Sequence, residues 1–247
     1  MPTHQLVFGC APFGHCTESV YSSGELADWK RAGFSVAEVE AATDAVEQAA
    51  RTTEAGMMPL LCCAAETSDE LEQHLALAKR IGALAVCVRA GSGNQQPVRI
   101  GGLAAALSGL ALNGGTPVLL DVPCGGASPN LDHPPLVGDA TGRIRVRLDL
   151  TVGEPPPGER SAEPNLPQLL DRVDMIRASD TTCDVAVRAE AMRLWRRRTP
   201  PGRWMVFSAI APSECDPDER LHACGKAREL AMTAWAMSAT ATAPIWP

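Results

Sequence analysis

The sequence contains few aromatic residues, few histidines and very little lysine. Aromatic side chains make up 4% of the 247 residues, and there are five histidines. Lysine accounts for three of the 22 basic residues, arginine for the rest, and the formal net charge is −7. A protein that binds nucleic acid shows a basic patch or stripe, so we expect no nucleic-acid partner. The one basic run, 196–198, lies at the predicted end of a helix, where cations interact favourably with the helix dipole.

Long apolar runs are absent as well. No stretch is long enough to cross a bilayer, and no basic and apolar signal segment stands at the N-terminus. We therefore expect a cytoplasmic protein with no membrane partner. The excess of arginine over lysine, together with abundant alanine and proline, indicates a GC-rich coding genome and a bacterial source.

Cysteine is well represented, with nine residues, an odd number. Several lie in or beside apolar, strand-like runs, and these are expected to be buried, reduced thiols. They are Cys10, Cys62, Cys63, Cys87 and Cys124. The one Cys/His cluster, Cys215, His222 and Cys224, matches no standard zinc spacing.

Strand-like apolar segments alternate with helical segments eight times along the chain. The predicted strands are 4–10, 34–39, 58–63, 83–89, 117–122, 143–150, 173–177 and 203–208. Eight such units within 247 residues predict a single-domain (β/α)8 barrel over residues 1–247, since that fold typically needs about 250 residues. The alternative is a doubly wound open sheet. No Gly-x-Gly-x-x-Gly follows the first strand, so the dinucleotide-binding form of that sheet lacks its phosphate loop.

Residues 24–39 form one helix–turn–strand unit of this predicted barrel. The amphipathic helix at 24–31 ends near Gly33, where a helix C-cap favours positive φ, and the following strand carries Glu38. Residues 32–39, Ala-Gly-Phe-Ser-Val-Ala-Glu-Val, resemble the Ala-Gly-Phe-Asp-Gly-Val-Glu-Leu turn of the xylose isomerase-like barrels. Residues 81–91 resemble that family's Leu-Gly-Ala strand ending in Pro-Gly, and Leu148-Asp149 resembles its Asp-x-Gly-His strand.

The resemblance implies a fold and a site. Members of this superfamily include sugar isomerases, epimerases, dehydratases and a DNA-repair endonuclease branch, and their metal site takes carboxylates and histidines from strands five to eight. The matching positions here are Asp121, Asp149, Arg177 and Ser208, while Val152 stands where the family has a further histidine. We therefore expect no cofactor; the alternative is Mn or Mg bound weakly at Asp121 and Asp149.

Arginine among carboxylates can take the place of a metal, because a guanidinium supplies a fixed positive charge and five donors. Arg177 is the candidate. The C-terminal face of the barrel, where such folds carry their active sites, is expected to hold a ring of mixed charge. Its members are Arg89, Arg177, Glu38, Asp121, Asp149 and Asp180. The alternative is that these charges only neutralise one another.

Two functions follow. The first is an isomerase/epimerase-like or lyase-like enzyme that uses general acid–base chemistry on a small polar or anionic substrate. Asp149 or Asp121 is the candidate base, and Arg177 or Arg89 the group that holds a developing negative charge. The remaining candidates are Glu38 as a further catalytic group, His15 or Cys10 as the acid, and Ser208 as a substrate contact.

The second function is a non-catalytic descendant that binds a small ligand or a partner protein. An enzyme predicts an enclosed pocket with a carboxylate of strongly raised pKa, whereas a binding scaffold predicts that every carboxylate at the mouth pairs with arginine. The DNA-repair branch needs a metal cluster rich in histidine and a basic surface, and this composition supplies neither. The resemblance also implies a homo-oligomer.

Overall fold

The computed structural model describes nine stretches of the chain. They are residues 5–12, 23–65, 67–89, 116–123, 145–149, 173–179, 189–199, 204–211 and 216–240. Several residues named above lie outside these stretches: His15, Asp180, Cys124, Val152 and Cys215.

Eight parallel strands close into a barrel in chain order, which confirms the predicted fold class. The strands are β1 (Gln5–Cys10), β2 (Val36–Glu40), β3 (Met58–Ala64), β4 (Val86–Arg89), β5 (Val118–Pro123), β6 (Arg145–Asp149), β7 (Val173–Ser179) and β8 (Trp204–Ile210). Closure is made by β1 and β8, which pair along the whole of β1 from Gln5 to Cys10. A closed parallel sheet brings the carboxyl ends of all its strands to one face.

Five helices are described. They are α1 (Ser23–Arg31), α2 (Ala45–Glu54), α3 (Ser68–Ile81), α4 (Ala189–Arg198) and α5 (Pro217–Thr240). A capping box begins α3, because the Thr67 side chain accepts from the Glu70 N–H and the Glu70 side chain accepts from the Thr67 N–H. After α1, Gly33 has φ +95°, as its position past the helix end predicts. No helix within the described residues is long and apolar enough to cross a membrane.

Two separate apolar layers hold the barrel. The larger lies between the sheet and the helices, and its bulky members include Trp29, Phe34 and Trp195. The smaller fills the barrel interior with residues from alternate strand positions. It comprises Val7, Val36, Leu60, Cys62, Ala85, Cys87, Leu119, Met175 and Val206. Because side chains alternate across a strand, the residues two positions further along β2, β5, β7 and β8 also point inward.

The strand bounds place the candidate residues deeper than the sequence indicated. β2 continues to Glu40, so Glu38 lies in the middle of the strand and is 4% exposed. Cys10, Cys62, Cys63 and Cys87 are buried free thiols, as predicted. Cys224 is buried whereas His222, two residues earlier on α5, is exposed.

Candidate functional site

Arg147 lies at the centre of the upper barrel and is fully buried. Its Nε donates to Oδ1 of Asp121 at 2.7 Å, and its Nη2 donates to the other oxygen of the same carboxylate. Its Nη1 is 3.2 Å from Oε2 of Glu38. One guanidinium therefore joins two carboxylates from β5 and β2, with the bidentate geometry that arginine alone among the basic side chains provides.

Arg177 makes the second set of contacts. Its Nη1 donates to Oδ2 of Asp149 at 2.9 Å, and its Nε lies 3.1 Å from Oε2 of Glu38. That Nε is buried and makes no hydrogen bond. The contact with Glu38 is thus an ion pair without a hydrogen bond. Glu38, Asp121, Arg147, Asp149 and Arg177 together form what we call the buried charge cluster.

Glu38 is the residue that both arginines share. Ser208 donates to its Oε1 at 2.5 Å, and the Cys62 thiol donates to its Oε2 at 3.6 Å. Burial alone would raise the pKa of this carboxyl. Arg177 and Arg147, with the two hydrogen bonds, outweigh burial and lower the pKa to about 2. Glu38 is therefore a firmly ionised group at neutral pH.

Asp121 behaves differently. Its burial raises its pKa above the ordinary value by more than the contact with Arg147 lowers it, and the nearby Asp149 adds to the rise. Burial alone would lower the pKa of Arg147, but the sulfurs of Cys62 and Cys87, the Glu38 carboxylate and the hydrogen bond to Asp121 raise it above its ordinary value. The guanidinium therefore stays charged in the barrel interior.

Strand register brings these residues together. Asp121 on β5 is the direct partner of Arg147 on β6, and Asp149 on β6 is the partner of Arg177 on β7. Arg177 is in turn the partner of Ser208 on β8. Partner residues in a parallel sheet lie about 4.8 Å apart with their side chains on the same face. An acidic residue and an arginine at partner positions on adjacent strands are therefore close enough to form an ion pair.

The cluster carries three carboxylates and two guanidinium groups. Its carboxylate side chains are 3% exposed and Arg147 is 0% exposed, whereas the side chain of Arg177 is 9% exposed. Arg177 is thus the most exposed member of the cluster. Within the part of the chain that the structure describes, no three His, Cys, Asp or Glu side chains are grouped to hold a metal ion.

Other predicted residues lie elsewhere. Arg89 does not join the cluster but pairs with Glu40, and both side chains are about one-third exposed. We call Arg89 and Glu40 the rim pair. Cys10 points away from the barrel interior: its thiol donates to the Val36 carbonyl at 3.5 Å, and it belongs to the layer between sheet and helices. The structure thus does not bring Cys10 to the cluster as the predicted acid, and His15 and Asp180 lie outside the described residues.

Sequence reasoning missed Arg147, the most buried charge of the site. The signal was present, since β6 alternates strictly and Arg147 stands two residues before Asp149, on the same face. It also missed Cys62, whose Sγ accepts from Arg147 Nη1 at 3.2 Å. Cys62 was recognised as buried but not as an inward-facing neighbour of Glu38.

Comparisons with known proteins bear on the fold. No family model matches the chain, and no curated protein matches it. Among solved structures, a xylose isomerase domain containing protein from Salmonella typhimurium is similar with a TM-score of 0.55 and 12% identity, covering 91% of this chain and 97% of the other. The flavin-binding domain of baker's yeast flavocytochrome b2 gives 0.53 and 10%, covering 96% and 64%. A dihydrodipicolinate synthase gives a TM-score of 0.51 and 12% identity, covering 96% of this chain and 80% of the other.

These similarities are at the level of architecture, because barrels with very different chemistry share them. The xylose isomerase-like resemblance read from residues 32–39 is matched by a solved xylose isomerase domain over nearly the whole of both chains. The chain has the (β/α)8 barrel fold of that protein, with the buried charge cluster inside its barrel.

Proposed function

We propose that the protein is a metal-independent barrel that binds a small, oxygen-rich molecule, a carboxylate or a sugar-like compound, over the buried charge cluster. The two guanidinium groups supply the positive charge that a divalent ion supplies in the resembling family. Asp121 offers both oxygens to Arg147 and Asp149 offers one to Arg177, so two of the matched ligand positions are already engaged.

One observation carries the proposal. Arg177 is more than nine-tenths buried, yet it has the largest accessible side-chain fraction in the cluster, and its buried Nε forms an ion pair with Glu38 without a hydrogen bond. A ligand oxygen that accepts from Arg177 would add a hydrogen bond to the guanidinium, and the carboxylates behind it would keep the guanidinium in place.

The arginine partners of the carboxylates favour ligand binding over proton transfer as the function. Each one described at this end of the barrel, Glu38, Asp121, Asp149 and Glu40, has an arginine partner. A general base needs a pKa near the operating pH. Glu38, with its pKa lowered to about 2, is a poor proton acceptor.

The raised pKa of Asp121 favours a second function, an isomerase/epimerase-like or lyase-like enzyme. In that reaction Asp121 takes a proton from carbon next to a carbonyl or carboxylate, and Arg177 holds the negative charge that develops on oxygen. Proton return by Asp121 to the same carbon would complete an isomerisation. Loss of a neighbouring leaving group would complete an elimination.

Thermal unfolding in the presence of a panel of small molecules tests the binding proposal. The panel pairs sugar acids and short hydroxycarboxylates with neutral polyols of the same length. A ligand that binds the folded chain raises the melting temperature by mass action. We expect at least one oxygen-rich compound to do so in the wild type and not in Arg177→Met, while Arg145→Met, which changes an ion pair with Asp174 on neighbouring strands, retains the response. An equal response in both variants contradicts the proposal.

The enzyme alternative has its own readout. Compounds that bind are incubated with the protein in deuterated water, and loss of C–H signals is followed by NMR. Exchange in the wild type that disappears in Asp121→Asn, with binding retained, supports proton transfer. Binding without exchange identifies the protein as a non-catalytic ligand-binding barrel.

A further inference from the structure

Two thiols face each other inside the barrel, beneath the proposed ligand site. Cys62 on β3 is the direct register partner of Cys87 on β4, and both belong to the interior layer. Each is 0% exposed. Partner positions on adjacent strands are about 4.8 Å apart, within the Cα separation of about 4.4–6.8 Å that a disulfide spans.

The surroundings of Cys62 are unusual for a buried thiol. Arg147 Nη1 donates to its sulfur at 3.2 Å, and the thiol itself donates to Glu38 at 3.6 Å. Arg147 beside the sulfur favours a thiolate, but the neighbouring Cys87, burial and Glu38 outweigh it and raise the pKa of the Cys62 thiol well above its ordinary value. Cys62 is therefore a protonated thiol that donates to Glu38. Cys63, the next residue, belongs to the outer layer between the sheet and the helices. Its pKa is raised to about 12, mainly by burial.

We propose that Cys62 and Cys87 form a reversible disulfide inside the barrel when the protein meets a hydroperoxide. The sulfur of Cys62 attacks the terminal peroxide oxygen, an S–O bond forms, the O–O bond breaks, and the thiol proton leaves with the released alcohol or water. The sulfur of Cys87 then attacks that of Cys62, the S–S bond forms, the S–O bond breaks, and hydroxide leaves with the Cys87 proton as water. Two electrons pass from the thiols to the peroxide.

Charge favours this product over a soft metal ion held by the same pair. Two neutral thiols become a neutral disulfide, so the charge of the cluster is unchanged. A Cu(I) ion on two thiolates would add one negative charge to an interior in which three carboxylates already face two guanidinium groups. An added unpaired charge in such a site is costly.

The disulfide would act on the ligand site through Glu38. Once oxidised, Cys62 has no proton to donate to Glu38, and its sulfur is drawn towards Cys87 and away from Arg147. Glu38 contacts both arginines, so the position of Arg177 would respond. This consequence rests on the proposed function, whereas formation of the disulfide does not.

Peptide mapping tests the disulfide directly. The full-length protein is treated with hydrogen peroxide under conditions where its circular dichroism is unchanged, remaining thiols are alkylated, and the digest is analysed without reduction. We expect a linked pair of peptides containing Cys62 and Cys87 that dithiothreitol separates. The linked pair should be missing from Cys62→Ser and Cys87→Ser and present in the matched control Cys63→Ser.

Two results would overturn the proposal. One is oxidation of the folded protein at other cysteines with Cys62 and Cys87 recovered as alkylated thiols. The other is sulfinic acid at Cys62 with Cys87 still free. Because this measurement needs no ligand, a failed ligand panel and a failed disulfide remain separate outcomes.

Discussion

Arg147 on β6 and Asp121 on β5 are register partners joined by two hydrogen bonds in a part of the barrel where neither side chain is more than 3% exposed. (β/α)8 barrels ordinarily fill this space with layers of branched apolar side chains. Here the lower interior follows that rule, with Val7, Val36 and Val206, and the level above it is ionic. The barrel thus holds buried charges, which are costly to desolvate, at the face where such folds carry their active sites.

Arg147→Met should destabilise the protein by about 3–5 kcal/mol, since it leaves Asp121 without its partner and Glu38 with only one arginine. Urea unfolding measures the loss. Arg145→Met, in the partly exposed pair with Asp174, should cost less. The double variant Arg147→Met with Asp121→Leu should recover part of the loss. A cost for Arg147→Met no greater than for Arg145→Met would show that the cluster does not hold its charges as described.

Glu38 should make the protein sensitive to acid. Its pKa is about 2 in the folded state, against an ordinary value of 4.5. A group with a lowered folded-state pKa contributes stability above its unfolded pKa and loses it as the pH falls through the folded value. The window is therefore from pH 4.5 down to about 2, and the contribution is on the order of 3 kcal/mol.

Chemical unfolding at several pH values across that window tests this. Glu38→Gln should flatten the decline in stability relative to the wild type. Glu40→Gln, in the exposed rim pair, serves as the control and should leave the decline nearly as it is. Parallel curves for the wild type and Glu38→Gln would contradict the lowered pKa.

Chelation should leave the protein unaffected. We expect no stoichiometric Mn or Mg by elemental analysis and no change in melting temperature on adding EDTA or Mn²⁺, because metal bound to the native state would raise it. A tightly bound ion that is lost in Asp149→Ala would overturn metal independence. The protein would then be placed with metal-dependent barrels despite its arginines.

Gly33→Ala should be more destabilising than Gly82→Ala. Both glycines have positive φ, +95° and +65°, so each substitution carries a backbone cost of about 1 kcal/mol. At Gly33 a Cβ would also lie 2.6 Å from Arg228 Nη2, and this guanidinium stacks on Phe8 at 5.1 Å. At Gly82 no atom lies within 4 Å of the added Cβ. Equal losses in thermal unfolding would mean that Arg228 moves aside at no cost.

Most of the fold was accessible from the sequence because its signals are local. Alternating strands and helices, the Thr67 capping box and the glycine after α1 are each set by neighbouring residues, and all three are present. The cluster was accessible only in part. Asp121, Asp149 and Arg177 could be identified from their places at predicted strand ends. Identifying Arg147 required knowing which face of β6 points into the barrel.

Pairing across the sheet explains the remaining differences. The position of Arg89 at the end of β4 predicts that it lies among the central charges. It instead forms an ion pair with Glu40, two residues beyond Glu38. The end of β2 was placed too early in the sequence, so Glu40 was not recognised as an inward-facing residue. Cys10 also lies away from the predicted position, because successive residues on a strand point to opposite faces of the sheet. Gly9, not Cys10, faces the barrel interior and lies against Ser208.

The rim pair differs from the buried charge cluster in its response to dissolved salt. Glu40 is on β2 and Arg89 on β4, so their ion pair bridges over the end of β3, which lies between them and ends at Ala64. An exposed ion pair is weakened by dissolved salt, since charges are screened within about 8 Å at physiological ionic strength, whereas buried pairs are screened far less. Ionic strength therefore weakens the rim pair while leaving the ion pairs of the buried charge cluster largely intact.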